Sequence, residues 1–190
     1  RPASLLKQVR FDMKTVRVLL SLKDKRPSAL MSSVIREFES SGIRVLPTTY
    51  LMQDALAGSG YLSGGGSEIK WLKPFIDITA KIADMDIGQT TVVSEGMIWA
   101  VEAMEGTDNC IKRGASLAKK GFVVIKMARK NQDLRYDLPV MGMKTLKLIK
   151  SLGGRGIVVE AGKTLMMEKQ KCLQFARSNR IFIYGWRRKK

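Results

Sequence analysis

Gly121-Phe-Val-Val-Ile-Lys126 is a short apolar run bounded by a glycine and a lysine, the pattern of a strand buried on both faces. Its neighbours decide what sheet it joins. Upstream lie a helical pattern over 69–83, the strands Thr90-Thr-Val-Val93 and Met97-Ile-Trp-Ala-Val101, and a helix from Thr107. Downstream come a helix over 144–152, the strand Arg155-Gly-Ile-Val-Val-Glu160, the run Leu165-Met-Met167, a helix over 169–177 and the strand Ile181-Phe-Ile-Tyr184. Strands alternating with amphipathic helices predict an α/β fold, here a C-terminal mixed α/β catalytic domain.

Before this domain the apolar spacing is helical. It predicts helices over 12–23, with Asp12 as cap, and over 28–41, ended by Gly42. A short extended run over 43–46 and a third helix from Thr48 or Thr49 through Leu56 follow. Gly58-Ser-Gly-Tyr-Leu-Ser-Gly-Gly-Gly-Ser67 sustains neither periodicity and reads as a flexible loop; it lacks the Gly-Lys-Ser/Thr ending of a phosphate-binding loop. The expected organisation is a mainly helical linker region 1–57, a loop 58–67, the α/β catalytic domain 68–186 and a basic tail 187–190.

The chain of 190 residues contains no histidine. Catalysis must then rest on carboxylates, a hard cation such as Mg2+, and lysine or arginine acting on phosphate oxygens. Lys and Arg number 34 against 17 acids, a net charge of +17, which attracts anionic partners. No apolar run approaches the roughly 20 residues of a membrane helix, and the first residues lack the apolar centre of a signal peptide. Two isolated cysteines, Cys110 and Cys172, fit a reducing compartment. A cytoplasmic protein is expected, and a homo-oligomer is compatible with the sequence. Because the first residue is Arg1, the chain is expected to be part of a longer one.

Ligands of α/β sheets gather beyond the carboxyl ends of the strands. If the strands are parallel neighbours, Glu102, Lys126, the 132–139 loop and Glu160-Ala-Gly162 converge on one rim. In Glu105-Gly-Thr-Asp108, Gly106 permits close backbone approach, and Thr107 or Asp108 can cap the following helix, whose N-terminus binds anions. Arg113, one turn on, balances phosphate charge. Glu102, Glu105 and Asp108 are candidate Mg2+ ligands, the alternative being a helix cap beside a surface glutamate. In Gln132-Asp-Leu-Arg-Tyr-Asp-Leu-Pro139, period-two spacing would put Asp133, Arg135 and Asp137 on one face, either as a metal and phosphate site or as a salt-bridge ladder. Gln89 and Lys126, at predicted element ends, are candidates for phosphate or nucleotide contact.

Asp86-Ile-Gly-Gln89, Ala100-Val-Glu-Ala-Met-Glu-Gly-Thr-Asp108, Gln132 to Pro139 and Val159-Glu-Ala-Gly162 together resemble, in order and spacing, the LpxI-type UDP-2,3-diacylglucosamine pyrophosphatases of lipid A biosynthesis. The resemblance implies Mg2+-dependent hydrolysis of UDP-2,3-diacylglucosamine to UMP and 2,3-diacylglucosamine 1-phosphate, with water attacking the sugar-side phosphorus. It also implies a Rossmann-like N-terminal domain, expected to be largely absent from this chain. By motif, Asp137 is the leading catalytic candidate, with Asp133 and Arg135 beside it; Gln89, Gly106, Thr107, Arg113, Lys126, Gln132, Glu160 and Gly162 would bind substrate. Arg129-Lys-Asn131 departs from a Lys-Pro-Gly-like stretch of the family. The diacyl substrate implies work at the cytoplasmic membrane surface, where Arg187-Arg-Lys-Lys190 would attract anionic lipid. Few aromatics and prominent carboxylates argue against nucleic acid, although a basic nucleic-acid module, or a non-catalytic nucleotide or lipid binder, is the alternative.

Overall fold

The computed structural model describes Met13, residues 27–118 and residues 120–188. The chain divides into two units, Arg1–Pro47 and Thr48–Lys190. In the first, helix α1 (Pro27–Ser40) begins with proline at a position whose amide needs no partner. It ends where Gly42 takes φ 81° and the Ile43 amide returns to Phe38 O at 3.0 Å, a left-handed C-terminal stop. The extended run expected at 43–46 pairs with no strand. The helix expected over 12–23 lies, Met13 apart, outside the described residues.

The second unit is the predicted α/β domain. Its strands are β1 (Gly60–Ser63), β2 (Thr90–Ser94), β3 (Met97–Val101), β4 (Val123–Lys126), β5 (Val140–Met141), β6 (Gly156–Glu160), β7 (Leu165–Met166) and β8 (Phe182–Trp186). Its helices are α2 (Glu68–Asp84), α3 (Thr107–Ala118), α4 (Met143–Ser151) and α5 (Lys169–Ser178). Six strands form a mixed sheet in the order β1-β8-β6-β4-β2-β3, and β5 and β7 pair separately in parallel.

Strands β4, β6 and β8 are parallel, whereas β2 runs antiparallel to both β3 and β4. The expectation of parallel neighbours therefore fails at β2. Convergence survives nonetheless, because β3, reversed twice relative to β4, ends on the same edge. That edge carries the start of β2 and the ends of β3, β4, β6 and β8.

Alternation along the central strands feeds two cores. Val92, Val124, Ile157, Val159 and Ile183 face a cluster with Ile111, Leu146, Ile149 and Cys172, contributed by α3, α4 and α5. Val93, Val123, Ile125 and Val158 face Leu72 and Ile76 of α2. Each such fully buried side chain contributes roughly 1.5–3 kcal/mol. A buried polar tie adds direction: the Thr79 hydroxyl of α2 lies 2.7 Å from that of Thr91 on β2.

Two local expectations change. Residues 60–63 are not loop but edge strand β1, pairing antiparallel with β8; glycine and serine carry no periodicity, so pairing partners alone decide their state. A side chain at Gly185 would stand 1.7 Å from Gly58 O, and this close approach seats the segment. The helix expected through Leu56 is instead two 3-10 turns, Thr48–Tyr50 and Gln53–Ala55.

Candidate active site

At the shared strand edge, Gly88 lets the α2–β2 turn lie against the residue following β3: a Cβ there would stand 1.9 Å from Glu102 O. The Glu102 amide donates to Thr90 O at 2.8 Å. Its side chain then points along the rim, where Glu102 Oε1 accepts from Thr107 Oγ1 at 2.9 Å. The Thr107 hydroxyl in turn accepts from Lys126 Nζ at 2.8 Å. Glu102 Oε2 is buried without a hydrogen-bond partner.

Lys126 closes β4 and is 8% exposed. Burial pushes its ammonium below the usual lysine range, opposed by the charges of Glu102, Asp108 and Asp137. The cation thus sits under three carboxylates and beside the first turn of α3, whose amides are left without intrahelical acceptors. Asp86, Gly88, Gln89, Glu102 and Lys126 line a cleft of about 210 Å³.

The loop from 132 to 139 is not extended. Tyr136 N and Asp137 N both return to Asp133 O, at 3.3 and 3.0 Å, so the chain turns and the period-two face does not form. Asp133 instead accepts from its neighbour Arg135, at 3.0 and 3.1 Å from Nε, 2.7 Å from Nη2 and 3.1 Å from the backbone. Those bonds hold the Asp133 carboxyl below the usual carboxylate range. The turn aims Asp137 the other way, onto Arg129, whose second amino group reaches Asp86 at 2.6 Å. Pro139 is buried, and its carbonyl accepts from Leu165 N at 2.8 Å, pinning the end of the loop to β7.

The three carboxylates expected around a metal are not gathered together. Glu105 is clasped by Arg113, whose guanidinium also donates to Val101 O at 2.9 Å. Asp108 pairs with Lys144 at 2.6 Å. No group of three acidic or thiol ligands is assembled among the described residues. Of the expected set, Glu102 alone keeps an unpartnered buried oxygen.

Of the expected substrate contacts, Gln89 and Lys126 share the cleft with the expected metal ligand Glu102, while Thr107, next to Gly106 (φ 81°), reaches it through its hydrogen bonds to Lys126 and Glu102. Gln132 is buried and accepts from Arg129 N at 2.8 Å. Glu160, 2% exposed, is a buttress: it accepts from Ala128 N at 3.1 Å and faces Lys163 and Arg188 at 3.3 and 3.5 Å. Gly162 is exposed at φ 75° and bonds Ala57 O at 2.9 Å. Arg187 donates to Ser59, and Arg188 binds Asp84 and Ala128 O. Half of the expected lipid-attracting tail is therefore occupied in tying β8 to this rim.

Residues 67–184 match the LpxI C-terminal domain, and residues 2–55 the LpxI N-terminal domain. The chain belongs to the LpxI family. The "UDP-2,3-diacylglucosamine pyrophosphatase LpxI" of Caulobacter vibrioides is 31% identical over 188 residues, a match covering 92% of this chain and 67% of that protein. The gap between the two LpxI domain matches, 56–66, contains β1 and overlaps the segment read as a loop. No helix among the described residues is long and apolar enough to cross a membrane.

Within the LpxI family frame, sequence reasoning missed Arg129 and Arg188. Arg129 stood out only as a departure from the family pattern, and Arg188 sat in the basic tail expected to attract anionic lipid. Among the described residues, four of the five buried side-chain polar atoms without a hydrogen-bond partner, on Glu102, Arg129, Gln132 and Arg188, lie on this rim. Unsatisfied buried groups concentrate where a ligand completes them.

Proposed function

We propose that the chain hydrolyses the pyrophosphate of UDP-2,3-diacylglucosamine to UMP and 2,3-diacylglucosamine 1-phosphate in lipid A synthesis, with Mg2+ as cofactor. One observation carries the chemistry. A buried lysine and a glutamate with an unpartnered carboxylate oxygen line one cleft, and both hydrogen-bond Thr107, the first residue of α3. The relative's name supplies the substrate.

Lys126 and the first-turn amides of α3 bind the anionic phosphate oxygens. Glu102 Oε2 suits a hard cation, which takes one or two carboxylates and completes its shell with water and phosphate oxygens. Mg2+ held there would supply Lewis-acid neutralisation of the pyrophosphate charge. Asp137, held by Arg129, orients the attacking water and accepts its proton. The water oxygen bonds to the sugar-side phosphorus, the bridging P–O bond breaks, and UMP departs with the electron pair. The acyl chains lie in a leaflet, so the chain works at the cytoplasmic surface of the inner membrane without spanning it.

The test is UMP release from UDP-2,3-diacylglucosamine followed by mass spectrometry. EDTA and Asp137→Ala are each expected to abolish it. Turnover that survives EDTA overturns the Mg2+ assignment, and turnover that survives Asp137→Ala overturns the role of that carboxylate.

A further inference from the structure

The arginines of the α/β unit segregate by partner. Arg113, Arg129, Arg135 and Arg188 each pair with a carboxylate near the strand edge described above. At the opposite edge, where β4, β6 and β8 begin, Arg155, Arg177 and Arg180 are exposed and pair with no carboxylate among the described residues. Arg155 donates through Nε to Gly121 O at 3.0 Å. No hydrogen bond within the described residues engages the Arg177 or Arg180 guanidinium.

These three side chains, with Gly64, Gly65 and Glu68, line a cleft of about 420 Å³. Against three guanidiniums stands one carboxylate, leaving the wall positive by two charges. Gly64, at φ 70°, packs its backbone directly on β8, since a Cβ there would meet the Phe182 Cβ at 2.9 Å. Arg155 also lines an adjoining cleft of about 340 Å³ with Trp71, Gly96, Lys120 and Gly121. A guanidinium cluster beside an aromatic wall accepts a phosphate together with the organic group it carries. Solvated surface arginines usually spread over convex faces; here three converge on a concavity that holds a single carboxylate, Glu68.

We propose that this basic cleft at the far edge of the sheet is a second anion site, separate from the Lys126 rim, that binds a phosphate ester through Arg155, Arg177 and Arg180. The phosphate belongs either to a soluble ester or to a lipid headgroup, and the experiment separates these sources. It does not depend on the hydrolytic reading, since none of its residues touches that rim.

Two probes are used with the 190-residue chain: glycerol phosphate by titration calorimetry, and cosedimentation with phosphatidylcholine vesicles with and without phosphatidylglycerol. The site variant is Arg177→Ala/Arg180→Asn, asparagine being tolerant of the φ of 54° at position 180. A charge-matched control, Lys81→Ala/Lys147→Ala, removes the same charge elsewhere. Loss of glycerol phosphate affinity by about tenfold in the site variant but not the control identifies a soluble ester. A fall of about thirtyfold in vesicle binding confined to the site variant identifies a lipid headgroup. Absence of binding to either probe by the unaltered chain, or equal losses in both variants, overturns the proposal. UMP release from detergent-dispersed substrate is expected to be unchanged in the site variant, which separates this site from the hydrolytic one.

Discussion

Lys126 donates to the Thr107 hydroxyl over 2.8 Å, and the Thr107 hydroxyl donates in turn to Glu102 over 2.9 Å. A lysine at the end of a central strand is thereby held by the first residue of a helix, close to a carboxylate but not in contact with it. The ammonium keeps donors for a ligand, and the carboxylate keeps one oxygen for a cation.

Replacing Lys126 by methionine preserves length and removes the charge. Hydrolysis is expected to fall by about 100- to 1,000-fold, the usual effect of losing one donor to developing charge. Stability moves the other way with pH. Burial lowers the Lys126 pKa from 10.5, so between the lowered value and 10.5 the unfolded chain binds a proton that the folded chain does not. Stability of the unaltered chain therefore gains from this group as pH rises through that window, and Lys126→Met lacks the gain. Urea melts of both proteins across the window measure the difference.

Arg129 joins Asp137 to Asp86. Its replacement by alanine leaves Asp137 on a loop without its main restraint, so kcat is expected to drop about 10- to 100-fold while KM changes little. Arg129→Lys rescues poorly, because one ammonium does not span two carboxylates as a planar fork does. A change confined to KM would place Arg129 in substrate binding instead.

Gly88 is held at the closest backbone approach of the site, 1.9 Å from a built Cβ to Glu102 O. Gly88→Ala must move either the turn or the Glu102 backbone, at about 1–3 kcal/mol or more. Thermal melts are expected to show that loss together with loss of hydrolysis. The same change at Gly65, where a Cβ meets nothing within 4 Å, serves as the neutral control.

Cys110 is fully buried under α3, and burial with the nearby charges of Glu105 and Glu102 pushes its thiol up to about 12. Burial raises Cys172 as well. Since the thiolate is the reactive form, neither is expected to react with iodoacetamide at neutral pH in the folded chain, and both in urea. Mass spectrometry of the alkylated protein reads the result, and rapid native labelling of Cys110 would show that α3 opens.

Period and punctuation carried most of the fold. The runs at 90–93, 121–126 and 155–160 hold strands because β-branched residues filling both faces leave no exposed helix stripe, and local chemistry alone states that. The edge strand at 60–63 was not legible. Its glycine and serine become a strand only because β8 offers an unpaired edge and Gly185 leaves room.

The site divides along the same line. The absence of histidine left carboxylates, a hard cation, lysine and arginine as the expected agents of chemistry, and the rim expected from parallel neighbours brings Glu102 and Lys126 together only because β3, reversed twice relative to β4, ends on the same edge. Which carboxylate is available was decided by tertiary structure. Glu102, Glu105 and Asp108 look equivalent in sequence, yet Arg113 and Lys144 occupy two of them and leave an oxygen of the third without a partner. Asp133 and Asp137 look like one ladder, yet a turn hands the first to Arg135 and the second to Arg129. Residue types fix what a site can do, while ion pairing depends on a few ångströms of separation, which only the folded backbone sets.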